Sequence, residues 1–262
     1  DRVLTNSFTL APVPGAIAHA LAEPVLVDVT DDYLIDLDDL ERKIVHSGAR
    51  TLLLSHMRGH ICDMQQLGAL CERHQVQLIE DCAHTMGAAW NGRRTGSWGL
   101  AGCFSLQSYK HANAGEGGLL VCDDENLAAQ AILLSGSYML YRSHLSRPDD
   151  AAFERWKYRT PNFSLRMGNL PAALARCQLG SVLRERCERW NERYRWLAAA
   201  MRDIAHLSVP ARDPKEQFVA SSLQFSVVGF EPERIARFVE ACASRGLHVK
   251  WFGAEAAAGF TS

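Results

Sequence analysis

The residues best suited to chemistry follow two short apolar runs in the first half of the chain. The first run, residues 76–79, ends in the acidic pair Glu80 and Asp81, and the second, residues 102–106, leads into a polar loop with one lysine, Lys110. A lysine amine can form a Schiff base with an aldehyde. A carboxylate can keep a pyridine nitrogen protonated, so that the ring accepts electrons. An acid and a lysine at neighbouring strand ends therefore indicate pyridoxal phosphate (PLP) chemistry.

Taken one at a time, these residues have ordinary structural interpretations. A lysine alone in a loop is usually a solvated charge, and an acid at a strand end is often a turn or capping residue. Ser105 alone is a small strand-end residue, and His84 alone is typical of a hydrogen-bonded core histidine. Glycines 115, 117 and 118 favour positive φ angles more than they indicate phosphate binding. Only the whole group, in its order and spacing, favours a catalytic interpretation.

Elements of alternating type must position these residues. Apolar runs of strand length lie at 24–29, 51–55 and 76–79. Segments with helical spacing lie at 14–21, 37–45, 64–74 and 125–134. Asp36 and Asp63 stand where they can cap the second and third of these helices. This alternation predicts an α/β fold with a mostly parallel central sheet, helices on both faces and a crevice at the carboxyl ends of the strands.

The second half of the chain has a different pattern. Residues 135–162 lack periodicity, so we expect a long active-site or subunit-contact loop there. Residues 170–201 predict one long helix. The elements predicted beyond Pro210 are a strand, a helix and a strand at 221–228, 232–244 and 246–251. The predicted parts are a large domain at 1–168, a bridging helix at 169–205 and a smaller α+β domain at 206–262.

Composition argues against several kinds of partner. Hydrophobic residues make up 47% of the 262 residues, charged residues 22%, and the formal net charge is −2. This balance gives no reason to expect nucleic acid or an acidic membrane surface as a partner. No apolar run approaches the roughly 20 residues that span a bilayer.

The cysteines and histidines are the residues that could form a metal site or a disulfide. None of the 8 cysteines forms a Cys-x-x-Cys pair, and several fall in apolar patterns. This favours reduced, buried thiols in a cytoplasmic protein. His56 and His60 have the i, i+4 spacing of two metal ligands, but they flank Arg58 and Gly59 in a predicted loop. We therefore expect no metal site.

Several longer motifs follow one another in a specific order. They are PVLVDV at 24–29, EDCAHTMGA at 80–88, FSLQSYK at 104–110 and GEGG at 115–118. With these motifs the sequence resembles the DegT/DnrJ/StrS family of PLP-dependent sugar aminotransferases, most clearly over residues 3–179. The resemblance implies fold type I, like that of aspartate aminotransferase, and PLP as the cofactor.

The resemblance assigns roles to individual residues. Lys110 matches the family's Schiff-base lysine, and Asp81 matches the carboxylate that binds the pyridine nitrogen. His84 stands where the family usually has a glutamine packed against the ring face, a place that an imidazole can also fill. Ser105 matches the hydroxyl that binds the phosphate.

A further motif implies a second subunit. Arg166 and Met167 resemble the end of the family's Asn-x-Arg-Met motif, which reaches the phosphate of the neighbouring subunit. Ser164 occupies the asparagine position, and Asn162 lies two residues earlier. Both stay candidates for the contact, and the resemblance implies a homodimer with shared active sites.

The resemblance implies transfer of an amino group from glutamate or glutamine to a keto sugar, nucleotide-linked, or to a cyclitol. One alternative is a PLP-dependent sugar dehydratase, although dehydratases of the family replace the lysine with histidine and here Lys110 is kept, beside His111. The other is a non-catalytic regulatory homologue of the same fold. The identity of the keto substrate and of the donor stays open.

The family's Ser-Gly-Thr phosphate turn precedes its first matching strand, and its last strands and helices follow the end of this match. Neither lies within this sequence, which also starts without a methionine. The resemblance therefore implies that the sequence is part of a longer protein.

Overall fold

The computed structural model describes residues 1–137 and 140–253 of the chain. The strands are β1 (Arg2–Asn6), β2 (Glu23–Val27), β3 (Thr51–Ser55), β4 (Gln77–Asp81), β5 (Ala89–Trp90), β6 (Arg93–Arg94), β7 (Ala101–Ser105), β8 (Gly118–Val121), β9 (Leu207–Ser208), β10 (Glu216–Gln217) and β11 (Ser226–Val227). The helices are α1 (Pro12–His19), α2 (Leu37–Ser47), α3 (Met64–Arg73), α4 (Glu125–Ser135), α5 (Asp150–Trp156), α6 (Asn169–Gln178), α7 (Ser181–Arg202) and α8 (Pro232–Ala243).

A six-stranded sheet in the order β2-β1-β3-β4-β7-β8 forms the centre of the fold. All neighbouring strands are parallel except β8, which runs antiparallel to β7. The predicted α/β fold with a mostly parallel sheet is confirmed. Because β3, β4 and β7 are parallel neighbours, their carboxyl ends lie side by side at one edge of the sheet.

Local side-chain chemistry sets where the helices begin. Oδ1 of Asp36 accepts hydrogen bonds from the backbone N–H groups of Asp38 and Asp39, at 2.9 and 3.0 Å, and so caps α2. Asp63 caps α3 in the same way. Both predicted caps are confirmed. Gly48 ends α2 with φ 66°, a left-handed conformation that costs glycine little.

The main core lies between the sheet and its crossover helices. Leu4, Leu52 and Leu54 from the strands are fully buried with Met64 and Leu67 of α3. Each such side chain contributes roughly 1.5–3 kcal/mol by leaving water. This packing fixes β1, β3 and β4 relative to one another, and with them the residues at their carboxyl ends.

The loop predicted at 135–162 contains regular structure, so that prediction was wrong in part. A short 3-10 helix spans Leu140–Ser143, and α5 spans Asp150–Trp156. Tyr141 stacks on the buried ring of Phe153, with ring centroids 4.1 Å apart. These apolar residues form a small core against α4. Because α5 has only seven residues, its apolar positions are too few to show a helical period in the sequence. Residues 138 and 139 of the predicted loop lie outside the described residues.

The single helix predicted at 170–201 is two helices, α6 and α7. The break falls at Gly180, whose φ of 106° cannot continue a helix. Beyond it, α8 confirms the predicted C-terminal helix. The strand predicted at 221–228 shrinks to β11, which pairs with β9, and 246–251 is not a strand.

The chain after α7 also returns to the main body, because β10 pairs with β5. The division into three parts at 168 and 205 stays a prediction. Among the described helices, none is both long enough and apolar enough to cross a membrane.

Candidate active site

Asp81 ends β4, and its neighbours hold its carboxylate in place. The parallel register sets Ser55 of β3 beside it, and the hydroxyl of Ser55 donates to Oδ2 of Asp81 at 2.8 Å. The backbone N–H of Ala83 donates to Oδ1 at 3.0 Å. Each oxygen keeps acceptor capacity, because a carboxylate can accept about four hydrogen bonds. The carboxylate is thus oriented but still able to bind a cationic N–H group.

Ser55 is itself fixed by a buried amide that the sequence did not single out. The backbone N–H of Ser55 donates to Oδ1 of Asn6 at 2.8 Å, and Nδ2 of Asn6 donates to the carbonyl of Ser55 at 3.0 Å. The same Nδ2 reaches the carbonyl of Phe8 at 2.9 Å. Asn6 therefore ties the ends of β1 and β3 together. In the sequence, the only indication of this role is that Asn6 is a polar residue at the end of an apolar strand.

Lys110 lies in the loop between β7 and β8, which is held by its own hydrogen bonds. The N–H of Lys110 donates to the carbonyl of Gln107 at 2.9 Å, and the N–H of Ala114 donates to the carbonyl of Leu106 at 2.8 Å. Nδ2 of Asn113 donates to the carbonyl of Ser108 at 2.6 Å. These bonds fix the backbone that carries the lysine.

The amine of Lys110 contacts His84. Its Nζ lies 3.0 Å from Nε2 of the imidazole. Burial lowers the pKa of Lys110, the negative charge of Asp81 opposes that shift, and the positive charge of Arg58 adds to it. Of the residues predicted as site residues, the structure brings Asp81, His84 and Lys110 together.

His84 is neutral in this setting. Burial lowers its pKa to about 3, and the positive charges of Lys110 and Arg58 act in the same direction. An ammonium group can only donate, so Nε2 of His84 is the acceptor of this hydrogen bond. A neutral imidazole thus orients the lysine amine without repelling it.

Ser105 stands at the carboxyl end of β7, as the sequence predicts. It is half-buried, and its hydroxyl accepts a hydrogen bond from the N–H of Gln107 at 3.3 Å. Among the described residues, no hydrogen bond joins Ser105 to Asp81 or Lys110. Its phosphate-binding role stays a prediction.

Asn162 and Ser164 lie apart from this group within one chain. Oδ1 of Asn162 accepts the N–H of Ser164 at 2.9 Å, and the N–H of Phe163 donates to the carbonyl of Leu134 at 2.9 Å, near the end of α4. Both polar residues are exposed. In the described part of the chain neither bonds to Lys110 or Asp81, and the predicted contact with a second subunit is untested.

Glu80 has a structural role that the sequence did not predict. Its buried carboxylate accepts backbone N–H groups of Gly96 and Trp98, at 2.8 and 2.7 Å, and contacts Nε2 of His56 at 3.0 Å. Burial alone would raise the pKa of Glu80, but the hydrogen bond from His56 and the backbone bonds lower it overall. Glu80 therefore organises the turn before β7, and its neighbour Asp81 faces different partners.

The two histidines considered as metal ligands do not converge. His56 contacts Glu80, whereas Nε2 of His60 lies 2.9 Å from the amide oxygen of Gln224. His56, Glu80 and Cys82 have donor atoms within 4.8 Å of one another. Burial raises the pKa of the Cys82 thiol, which disfavours the thiolate that a metal would need, and the Glu80 carboxylate already accepts several hydrogen bonds.

Comparisons with known proteins identify relatives of this chain. A protein of Micromonospora echinospora, provisionally named L-glutamine:3-amino-2,3-dideoxy-scyllo-inosose aminotransferase, is 34% identical over 180 residues, covering 68% of this chain and 41% of that protein. The GDP-perosamine synthase of Caulobacter vibrioides is 31% identical over 198 residues, covering 73% and 50%. The chain thus spans about half the length of these relatives or less.

Solved structures also resemble the chain in fold. The crystal structure of AtS13 from Actinomadura melliaura superposes with a TM-score of 0.82 at 26% identity, covering 97% of this chain and 66% of that one. The model of the DegT/DnrJ/EryC1/StrS aminotransferase family matches residues 1–252. The chain belongs to the DegT/DnrJ/EryC1/StrS aminotransferase family, whose enzymes use PLP.

Proposed function

We propose that the protein carrying this chain is a PLP-dependent aminotransferase that moves an amino group from glutamate or glutamine to a keto sugar or a cyclitol. The observation that carries the proposal is the lysine amine of Lys110, held 3.0 Å from the imidazole of His84 and within the electrostatic influence of Asp81. A half-buried amine with a lowered pKa and a carboxylate nearby are the groups that this cofactor requires.

The side chains of the candidate site fit PLP. Lys110 would hold it covalently, Asp81 would bind its ring nitrogen and His84 would lie against the ring. Ser105 would bind its phosphate, together with Asn162 or Ser164 of a second copy in a homodimer. When bound, PLP supplies an aldehyde that condenses with amines and a ring that takes up the electrons released at the neighbouring carbon.

Lys110 is also the group that moves the proton. Burial lowers its pKa, so a larger share of Nζ carries a free lone pair at neutral pH than in an exposed lysine. That lone pair can take a proton from one carbon of the substrate and return it to another. The contact with Nε2 of His84 limits where Nζ can point, and so where the proton is delivered.

The relatives suggest the acceptor. The names of two of them refer to a cyclitol aminotransferase and a GDP-perosamine synthase. We infer an acceptor of the same class, a ring with several hydroxyl groups and one ketone. The two alternatives, a sugar dehydratase and a non-catalytic homologue, are not favoured, because Lys110, Asp81 and His84 are present and grouped.

Nitrogen transfer tests this proposal directly. The full-length protein is incubated with PLP, ¹⁵N-labelled glutamate or glutamine and either a GDP-linked keto sugar or a keto-inositol. Mass spectrometry should find ¹⁵N in the ring product and an equal amount of the keto acid from the donor. A ring that loses a hydroxyl group without gaining nitrogen would indicate the dehydratase instead.

A further inference from the structure

Arg58 is a strained residue beside the proposed site. It lies in the Met57–Gly59 turn that follows β3, at the same edge of the sheet as Asp81, and it has φ 56° and ψ 18°. A left-handed conformation is uncommon for a residue other than glycine, and such residues are found preferentially where a side chain serves a ligand. The sequence had indicated only a loop here.

The turn is fixed on both sides by the residues that surround Lys110. The N–H of His56 donates to the carbonyl of Asp81 at 3.1 Å. A Cβ atom on Gly59 would come within 3.3 Å of the carbonyl oxygen of His84, so the backbone after Arg58 lies against His84. The turn therefore places Arg58 next to Asp81 and His84. The positive charge of Arg58 lowers the pKa of both Lys110 and His84.

In the described part of the chain, the guanidinium of Arg58 has no counter-charge of its own. It is half-buried, yet within the described ranges it forms no hydrogen bond and no ion pair. Arg212, which is also partly buried, shows the usual arrangement: it donates to Glu216 at 2.7 Å and to the carbonyl of Gly59 at 2.8 Å. A half-buried guanidinium without an acid partner is suited to an anion supplied from outside.

We propose that Arg58 binds the α-carboxylate of the amino donor. The inference rests on the proposed function, because the donor's amine must take the place of the Lys110 amine. The α-carboxylate of an amino acid is two bonds from its amine, so it falls close to that position. The planar guanidinium suits a two-point contact with such a carboxylate.

The place of Ser105 favours this assignment over a contact with the cofactor's phosphate. The carboxylate of Asp81 accepts hydrogen bonds from Ser55 and Ala83, and within the described residues it forms no ion pair with Arg58. His84 is neutral, so it neither repels an anion nor supplies a counter-charge to Arg58. The hydroxyl assigned to the phosphate, Ser105, belongs to a different strand, β7.

The test compares Arg58→Gln and Arg58→Lys with a matched control, Arg50→Gln. Arg50 is exposed and immediately precedes β3, so the control removes the same charge at the opposite edge of the sheet. Three quantities are measured for the PLP-loaded protein: PLP affinity, binding of glutarate by calorimetry, and the concentration dependence of the absorbance change caused by glutamate, glutamine or 4-aminobutyrate. Glutarate cannot react, and 4-aminobutyrate lacks the α-carboxylate.

Losing a charge-assisted contact should weaken glutarate binding and raise the half-saturating glutamate and glutamine concentrations roughly 10- to 100-fold in Arg58→Gln. Arg58→Lys should recover part of the loss. PLP affinity and the response to 4-aminobutyrate should match those of Arg50→Gln. Weaker PLP binding with unchanged donor binding, or an equal loss for all three amines, would overturn the inference. A wild-type protein that shows no absorbance change with any amine would instead refute the proposed function.

Discussion

Nζ of Lys110 lies 3.0 Å from Nε2 of His84, a neutral imidazole at the place where the family usually has glutamine. The contact explains how a histidine can replace an amide there. Both side chains present an acceptor to the lysine, and both can lie flat against a ring. The burial that keeps His84 neutral also lowers the pKa of Lys110.

His84→Phe should lower the pKa of Lys110 further, because the ammonium form loses its acceptor while the ring shape is kept. The rate of PLP capture follows the free amine, so its pH midpoint should move to lower pH. His84→Gln, which keeps an acceptor, serves as the control and should move the midpoint less. Stopped-flow absorbance at a series of pH values checks this. Equal midpoints in the two variants would contradict the assigned hydrogen bond.

Ser55→Ala should weaken PLP binding roughly 5- to 15-fold, which is less than the loss of a direct hydrogen bond to a charged group, because Ser55 acts on PLP only through Asp81. Ser55 holds Oδ2 of Asp81 at 2.8 Å, so the carboxylate becomes less well oriented. Ser97→Ala is a suitable control, since among the residues that the structure describes the Ser97 hydroxyl bonds only to the carbonyl of Arg94, at 2.7 Å. Equilibrium titration measures both affinities, and indistinguishable values would rule out the orienting role.

Stability should fall as the pH drops from 7 to 5. Burial lowers the pKa of both His60 and His111 to about 4, from an ordinary value of 6.5. The unfolded chain therefore binds protons that the folded chain does not, and stability declines once the pH passes below 6.5. Each histidine should lower the free energy of unfolding by about 2 kcal/mol at pH 5. Urea unfolding of the cofactor-free protein checks this at both pH values.

His60→Gln provides the control for that pH dependence. It should reduce the difference in unfolding free energy between pH 7 and pH 5, whatever it does to stability at pH 7. A difference that stays as large as in the wild type would mean that His60 is not the titrating group.

Gly99→Ala should destabilise the protein by about 3 kcal/mol or more, or prevent folding. A Cβ atom there would lie 2.2 Å from the carbonyl oxygen of Leu78, which is backbone and cannot yield. Gly68→Ala is the matched variant. Gly68 lies within α3, and apart from the neighbouring backbone of that helix no described atom lies within 4 Å of the new methyl group. Alanine should therefore raise the free energy of unfolding by at most about 1 kcal/mol. Thermal unfolding compares them, and similar melting temperatures would contradict the packing described.

Features set by neighbours along the chain were predictable from the sequence. Asp36 and Asp63 cap their helices through N–H groups two and three residues away, and these caps were predicted. The grouping of Asp81 with Lys110 also followed, because parallel strands bring their carboxyl ends to one edge. In each case the cause lies in local spacing or in a general rule of sheet geometry.

Features set by distant contacts were not predictable. The break at Gly180 interrupts a pattern that otherwise continues as a helix, and only its φ of 106° reveals it. The clamp of Asn6 on Ser55 joins residues 49 positions apart. The sequence predicted only a loop around Arg58, whereas the structure places this turn against Asp81 and His84. Such residues acquire their roles from tertiary contacts.

The most direct test of the account is to find which lysine binds PLP. The full-length protein is loaded with PLP, reduced with borohydride to fix the linkage, digested, and mapped by mass spectrometry. The pyridoxyl group should be found on Lys110, and Lys110→Ala should lose it while Lys215→Ala keeps it. A label on other lysines in place of Lys110, or a label unaffected by Lys110→Ala, would show that Lys110 is not the lysine that binds PLP.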